Sequence, residues 1–130
     1  CLGVTPADLA AGDAVVIWLA NPDKKNQRVS LRLDSTGALK ADYYLDDASR
    51  SINPAQFGIR AAAASSDKGW YAEIQIPAPI VGRDRIEKDQ IWLINFARDC
   101  RAAPAELSFW SGNAATWQKA DSFGEFRLTP

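Results

Sequence analysis

The stretch GWYAEIQIPAP, residues 69–79, offers two readings: an aromatic pair displayed beside an acid, or one strand of a core. Side chains alternate between the two faces of a strand, so residues two apart share a face. Trp70, Ala72, Ile74 and Ile76 therefore lie together, and Tyr71, Glu73 and Gln75 lie opposite. The first set has the composition of a core face, which makes Trp70 structural. Pro77 and Pro79 then stop the strand, because proline has no backbone N–H to give to a ladder.

The same period of two runs outward in both directions. Val15, Ile17 and Leu19 share one face of a strand whose other face carries Val16 and Trp18. Asn21-Pro22-Asp23 reads as a turn. Val29, Leu31 and Leu33 alternate with Ser30, Arg32 and Asp34, the pattern of an antiparallel strand buried on one face. Asp34-Ser35-Thr36-Gly37 predicts a hairpin turn into a strand over 38–45. Residues 46–56 are polar and contain proline, so they read as a loop. Phe57, Ile59, Ala61 and Ala63 alternate as a strand, and the run Ala61–Ala64 is too short to favour a helix. Residues 80–88 read as a helical turn or wide loop. Ile91 to Arg98 is apolar on both faces, with Trp92 in core register with Ile94 and Phe96, as a central strand requires. A loop over 99–105, a short strand over 107–110, a small-residue loop over 111–121 and a last strand over 123–128 complete the chain. About seven short strands with little helix predict an all-β fold, an antiparallel β-sandwich of jelly-roll or immunoglobulin-like architecture. It forms one domain over residues 1–130, either whole or a fragment of a larger protein.

Composition narrows the chemistry mainly through what is missing. Fifteen basic residues balance sixteen acidic ones without a Lys/Arg stripe, which argues against a nucleic-acid partner. No apolar run is long enough to span a membrane. The chain contains no His and no Met, which excludes His-based acyl transfer, His-containing zinc sites and haem held by either residue. No nucleophile–base pair is visible, and none of the carboxylates forms an acid–base motif, so the chain does not read as an enzyme. Cys1 and Cys100 could pair in an oxidising compartment or remain two separate thiols, and Cys1 could be a lipid-modified terminus. Asp46, Asp47 and Asn53 are candidate ligands for a structural calcium; no other cofactor is expected.

Six stretches in order, Gly12–Ile17, Val29–Gly37, Gly69–Pro77, Ile94–Arg98, Leu107–Trp110 and Phe123–Phe126, resemble the family 9 carbohydrate-binding modules. The resemblance implies a β-sandwich that binds a mono- or polysaccharide without acting on it. It also implies covalent neighbour domains in a secreted bacterial glycoside-active protein, hence an extracellular, periplasmic or cell-surface location. Two positions depart from the sugar-binding members: Val16 stands where they carry an acid, and the region of Ala10 lacks their aromatic. These departures support an alternative, a structural or protein-interaction sandwich of a bacterial surface protein whose sugar site is degenerate.

Sugar recognition needs aromatic faces for the ring and fixed polar groups for its hydroxyls. Trp110 and Trp117 flank the loop Ser111–Thr116 and are the candidate platforms, unless they plug the end of the sandwich. Asn113 and Gln118 lie beside them as hydrogen-bonding candidates or plain loop polarity. Arg98 ends the central strand and either donates its fork to a sugar or pairs with Asp99 or Glu106. Trp18 faces either a second layer or a binding surface. Trp110, Trp117, Arg98, Asn113, Gln118 and Trp18 are thus the expected ligand-binding set.

Overall fold

Nine strands, all paired antiparallel, carry this alternation through residues 13–66, 69–100 and 106–128, which the computed structural model describes. They are β1 (Ala14–Ala20), β2 (Gln27–Asp34), β3 (Leu39–Leu45), β4 (Ala48–Ile52), β5 (Arg60–Ser66), β6 (Gly69–Gln75), β7 (Ile91–Cys100), β8 (Glu106–Phe109) and β9 (Gly124–Arg127). The main sheet runs β4-β3-β2-β1-β7. Two strands share the far edge of β7: β9 pairs with Ile91–Ile94, and β8 with Ala97–Cys100. β5 and β6 form a separate hairpin. The result is an all-β sandwich that is asymmetric among the described residues, with seven strands against two.

The central position expected for β7 is realised, and it explains why both its faces are apolar. One face of the main sheet carries Leu19, Val29, Leu31 and Trp92, covered by Ile74, Ile76 and the 3-10 turn Ala78–Val81. The opposite face carries Val16, Trp18, Leu93 and Ala97, covered by Trp117, Ala120 and Phe123 from the loop before β9. Each face therefore has its own apolar core, and burial of these side chains at about 25 cal/mol per Å² supplies most of the drive to fold. Trp70 and Trp92 are buried, as their parity predicts.

Three local expectations are corrected. Residues 46–56 are not one loop: Ala48–Ile52 pairs with β3 as an edge strand. Its polar sequence hid it, because an edge strand with most of its residues exposed needs no apolar stripe. Asp46 turns the chain with a positive φ of 54°. Phe57 does not start β5 but ends a 3-10 turn, Pro54–Phe57, that Asn53 caps through its side chain. Asp99 and Cys100 extend β7 rather than opening a loop.

Asp34 closes the β2–β3 hairpin. Its Oδ1 accepts from the Thr36 hydroxyl and from the backbone N–H groups of Thr36 and Ala38. The Thr36 hydroxyl bond, aided by the two backbone bonds and the Arg32 charge, outweighs the opposing effect of burial and holds this carboxyl below the usual aspartate range. A folded pKa below the unfolded one contributes stability above the unfolded value, and that contribution disappears as pH falls through the folded value. Urea midpoints should therefore drop between about pH 4 and lower pH, and Asp34→Ala should flatten that part of the profile. An equally steep profile in the variant would show that other carboxylates set it.

Candidate functional site

The register of β7 sorts the expected ligand-binding residues between the two faces of the main sheet. Arg98 pairs across β8 with Ser108, and Trp110, just past β8, donates its N–H to the Phe96 carbonyl at 2.8 Å. Phe96, Arg98, Ser108 and Trp110 therefore project from one face, the face that β6 covers further in. Together they line a shallow depression of about 210 Å³. Phe96 also lines an adjoining apolar cleft of about 310 Å³ between β6 and the sheet, walled by Trp70, Tyr71, Ile74 and Ile94.

Trp110 is the exposed tryptophan of this surface, at 60% of its full accessibility. Its ring meets Phe96 edge-on, with centroids 6.0 Å apart. It also lies against Gly124 so closely that a Cβ there would come within 2.4 Å of Cη2. Glycine at 124 is thus a seat for the indole.

Arg98 pairs with neither Asp99 nor Glu106 among the described ion pairs. Asp99 bonds to Arg32 on the other face, and the Arg98 Nη2 approaches Asp13 at 3.9 Å. Asp13 is 1% exposed and Arg98 about a quarter exposed, so a buried acid lies behind the guanidinium at the rim of the depression. Sequence reasoning missed Asp13, although it shares the parity of Val15, the residue opposite Arg98 in the ladder. Only the register could bring the two together.

Trp18 and Trp117 belong to the opposite face, and the expectation that Trp117 is displayed is corrected. Trp117 is 8% exposed, stacks on Phe109 with centroids 6.3 Å apart, and meets Trp18 edge-on at 6.0 Å. Trp18 is 3% exposed and faces this second layer, not an open surface. The loop that carries Trp117 folds down because Asn95 staples it. The Asn95 Nδ2 donates to the carbonyls of Ser111 and Trp117 at 2.9 and 2.8 Å, while its Oδ1 accepts from the N–H groups of Ser111 and Phe96. Asn113 serves the same loop: its Oδ1 accepts from the Ala115 N–H, and its carbonyl from Thr116 and Trp117. Gln118 is exposed on the same loop. The structure thus unites Trp110 with Arg98 and places Trp18 and Trp117 in the core of the opposite face.

The calcium candidates are also apart. Asp46 and Asp47 precede β4 and Asn53 follows it, roughly 20 Å along an extended strand, so the three do not share one site. No group of three metal-ligating side chains occurs among the described residues. Cys100 is a buried free thiol, and Cys1 lies outside the described residues. No helix among the described residues is long and apolar enough to cross a membrane.

Comparison with protein-family models and with curated proteins finds no match. Solved structures do match. A family 9 carbohydrate-binding module from Caldicellulosiruptor kristjanssonii, determined with glucose, superposes with a TM-score of 0.65 at 15% identity, over 90% of this chain and 59% of that one. The chain has a fold like that of a family 9 carbohydrate-binding module. A Bacteroides uniformis protein with a provisional carbohydrate-binding assignment superposes with a TM-score of 0.66 at 12% identity, over 96% of this chain and 66% of its own. This chain thus spans less than two thirds of either neighbour's length.

Proposed function

We propose that this family-9-like sandwich is a non-catalytic carbohydrate-binding module that stacks a pyranose ring on Trp110. The reading is carried by one observation: the exposed indole of Trp110 shares a sheet face with the guanidinium of Arg98. The apolar face of a sugar covers the indole, and the Arg98 fork and the Ser108 hydroxyl meet its hydroxyls at the rim. The fold of a neighbour determined with glucose supports a saccharide as the ligand. Such a module serves a secreted or surface host that acts on glycosides, to which it is covalently joined.

A second reading, a structural or interaction sandwich with a degenerate sugar site, draws on the burial of Trp18 and Trp117. That burial leaves Trp110 as the exposed indole among the proposed ligand residues. Gly124→Ala separates the two readings. The backbone at 124 does not have the positive φ that would require glycine, so alanine fits locally, but its Cβ displaces the Trp110 ring. Calorimetric titration with glucose and soluble oligosaccharides should show binding to the wild type and about tenfold weaker binding to the variant, the effect of losing about 1.4 kcal/mol. Its unfolding free energy should change by less than about 1 kcal/mol. Absence of binding by the wild type to any saccharide, together with no retention on insoluble polysaccharide, would favour the second reading.

A further inference from the structure

We propose that a second pocket, on the same sheet face as Trp110 but at its opposite edge, binds a small ring-bearing carboxylate. The pocket holds about 330 Å³ and is walled by Tyr43, Ile52, Phe57, Pro79 and Ile80, with Arg50 as its charged group. Tyr43 and Arg50 are direct cross-strand partners in the β3–β4 ladder, so both project from one face. Five strand spacings separate β4 from β8, which puts the pocket about 24 Å from the Trp110 edge.

The charge in this pocket is unbalanced. Arg50 is exposed, its guanidinium carbon lies 5.4 Å from the centroid of the Tyr43 ring, and no carboxylate pairs with it among the described residues. A guanidinium held against a ring keeps the N–H edge available to a planar acceptor, and a carboxylate matches that fork with two parallel bonds.

The apolar side is held in place before any ligand arrives. Phe57 is 43% exposed, yet it ends a turn fixed at both ends. The Asn53 Oδ1 accepts from the Ala55 N–H at 3.1 Å, and Gly58 closes the turn with a φ of 71° and a bond to the Ala55 carbonyl. An aromatic kept open by a capped turn offers a flat wall at little ordering cost. The volume lies at the lower end of small-molecule pockets, which suits one six-membered ring. One cation among apolar walls selects a ligand with an apolar face and a negative charge, not a neutral sugar.

Two sources share that chemistry: a uronic acid residue and an aromatic acid. The test is a titration of ¹⁵N-labelled protein with glucuronate, benzoate and glucose, following the amide signals of Tyr43, Arg50 and Phe57. One or both acids should move these signals to saturation while glucose leaves them in place. A response to glucuronate alone identifies a sugar acid, and one to benzoate alone an aromatic acid. Arg50→Gln should weaken binding about tenfold or more, Phe57→Ala should weaken it also, and Trp110→Ala should leave it unchanged. This site does not depend on sugar binding at Trp110. It is overturned if neither acid moves the signals, if glucose moves them equally, or if Arg50→Gln binds as the wild type does.

Discussion

Asn95→Ala is expected to lower the unfolding free energy by about 3–4 kcal/mol, from the cost of leaving several buried polar groups without partners. Asn95 is 0% exposed and uses both ends of its amide. Its Nδ2 points at two carbonyls and its Oδ1 at two N–H groups, so the reverse orientation would oppose like groups and only one fits. Alanine leaves the Ser111 and Trp117 carbonyls and the Ser111 N–H without that partner, and it opens a cavity under the loop. A domain of this size has about 5–15 kcal/mol of stability in total, so the loss is a large share. The loop should lift, and the emission of Trp18 and Trp117 should shift to the red in native buffer. Asn95→Asp should not rescue, because a carboxylate cannot donate to the two carbonyls and is charged in a buried place. Asn113→Ala should cost only about 1 kcal/mol, since its bonds lie at the surface. Denaturant titrations of the three variants test the ranking. A loss of under about 1 kcal/mol in Asn95→Ala would mean that the staple does not hold the loop.

Trp110→Ala is expected to weaken saccharide binding by about thirtyfold or more, the usual consequence of removing a central aromatic anchor worth about 2 kcal/mol. The same change should cost little stability, because most of the indole is already open and its contacts are with Phe96 and Gly124. Trp117→Ala should behave in the opposite way. Its ring is buried against Phe109 and Trp18, so truncation should cost about 3–5 kcal/mol and affect binding only through the fold. Measuring stability and affinity on both variants separates a ligand contact from a packing contact. Equal affinities for wild type and Trp110→Ala would remove Trp110 from the site.

The strands were legible in the sequence where one face is buried and the other is wet. Val29, Leu31 and Leu33 announce β2, and the parity of Trp70 and Trp92 assigns both to the core, because burial writes a period of two into the sequence. β4 was illegible because Ala48, Ser49, Arg50 and Ser51 sit at an edge and are all exposed. Trp117 was misread for a related reason. Local sequence identifies the segment Ser111–Thr116 as a loop, but the face on which that loop lies depends on Asn95, sixteen residues from Ser111. The opposite-face parity of Asn95 was readable, and its bonds to the loop were not. The pairing of Arg98 with Asp13 likewise depends on register, which alternation leaves open by multiples of two.

The central claim is that a saccharide meets this protein at Trp110. The most direct measurement follows the indole N–H signals of ¹⁵N-labelled protein during titration with glucose and soluble glucan oligosaccharides, with each signal assigned by substitution. The account predicts a saturable shift in the Trp110 indole, while those of Trp18, Trp92 and Trp117 stay in place. A Trp110 indole that stays fixed throughout the titration, whether or not another signal moves, would contradict it.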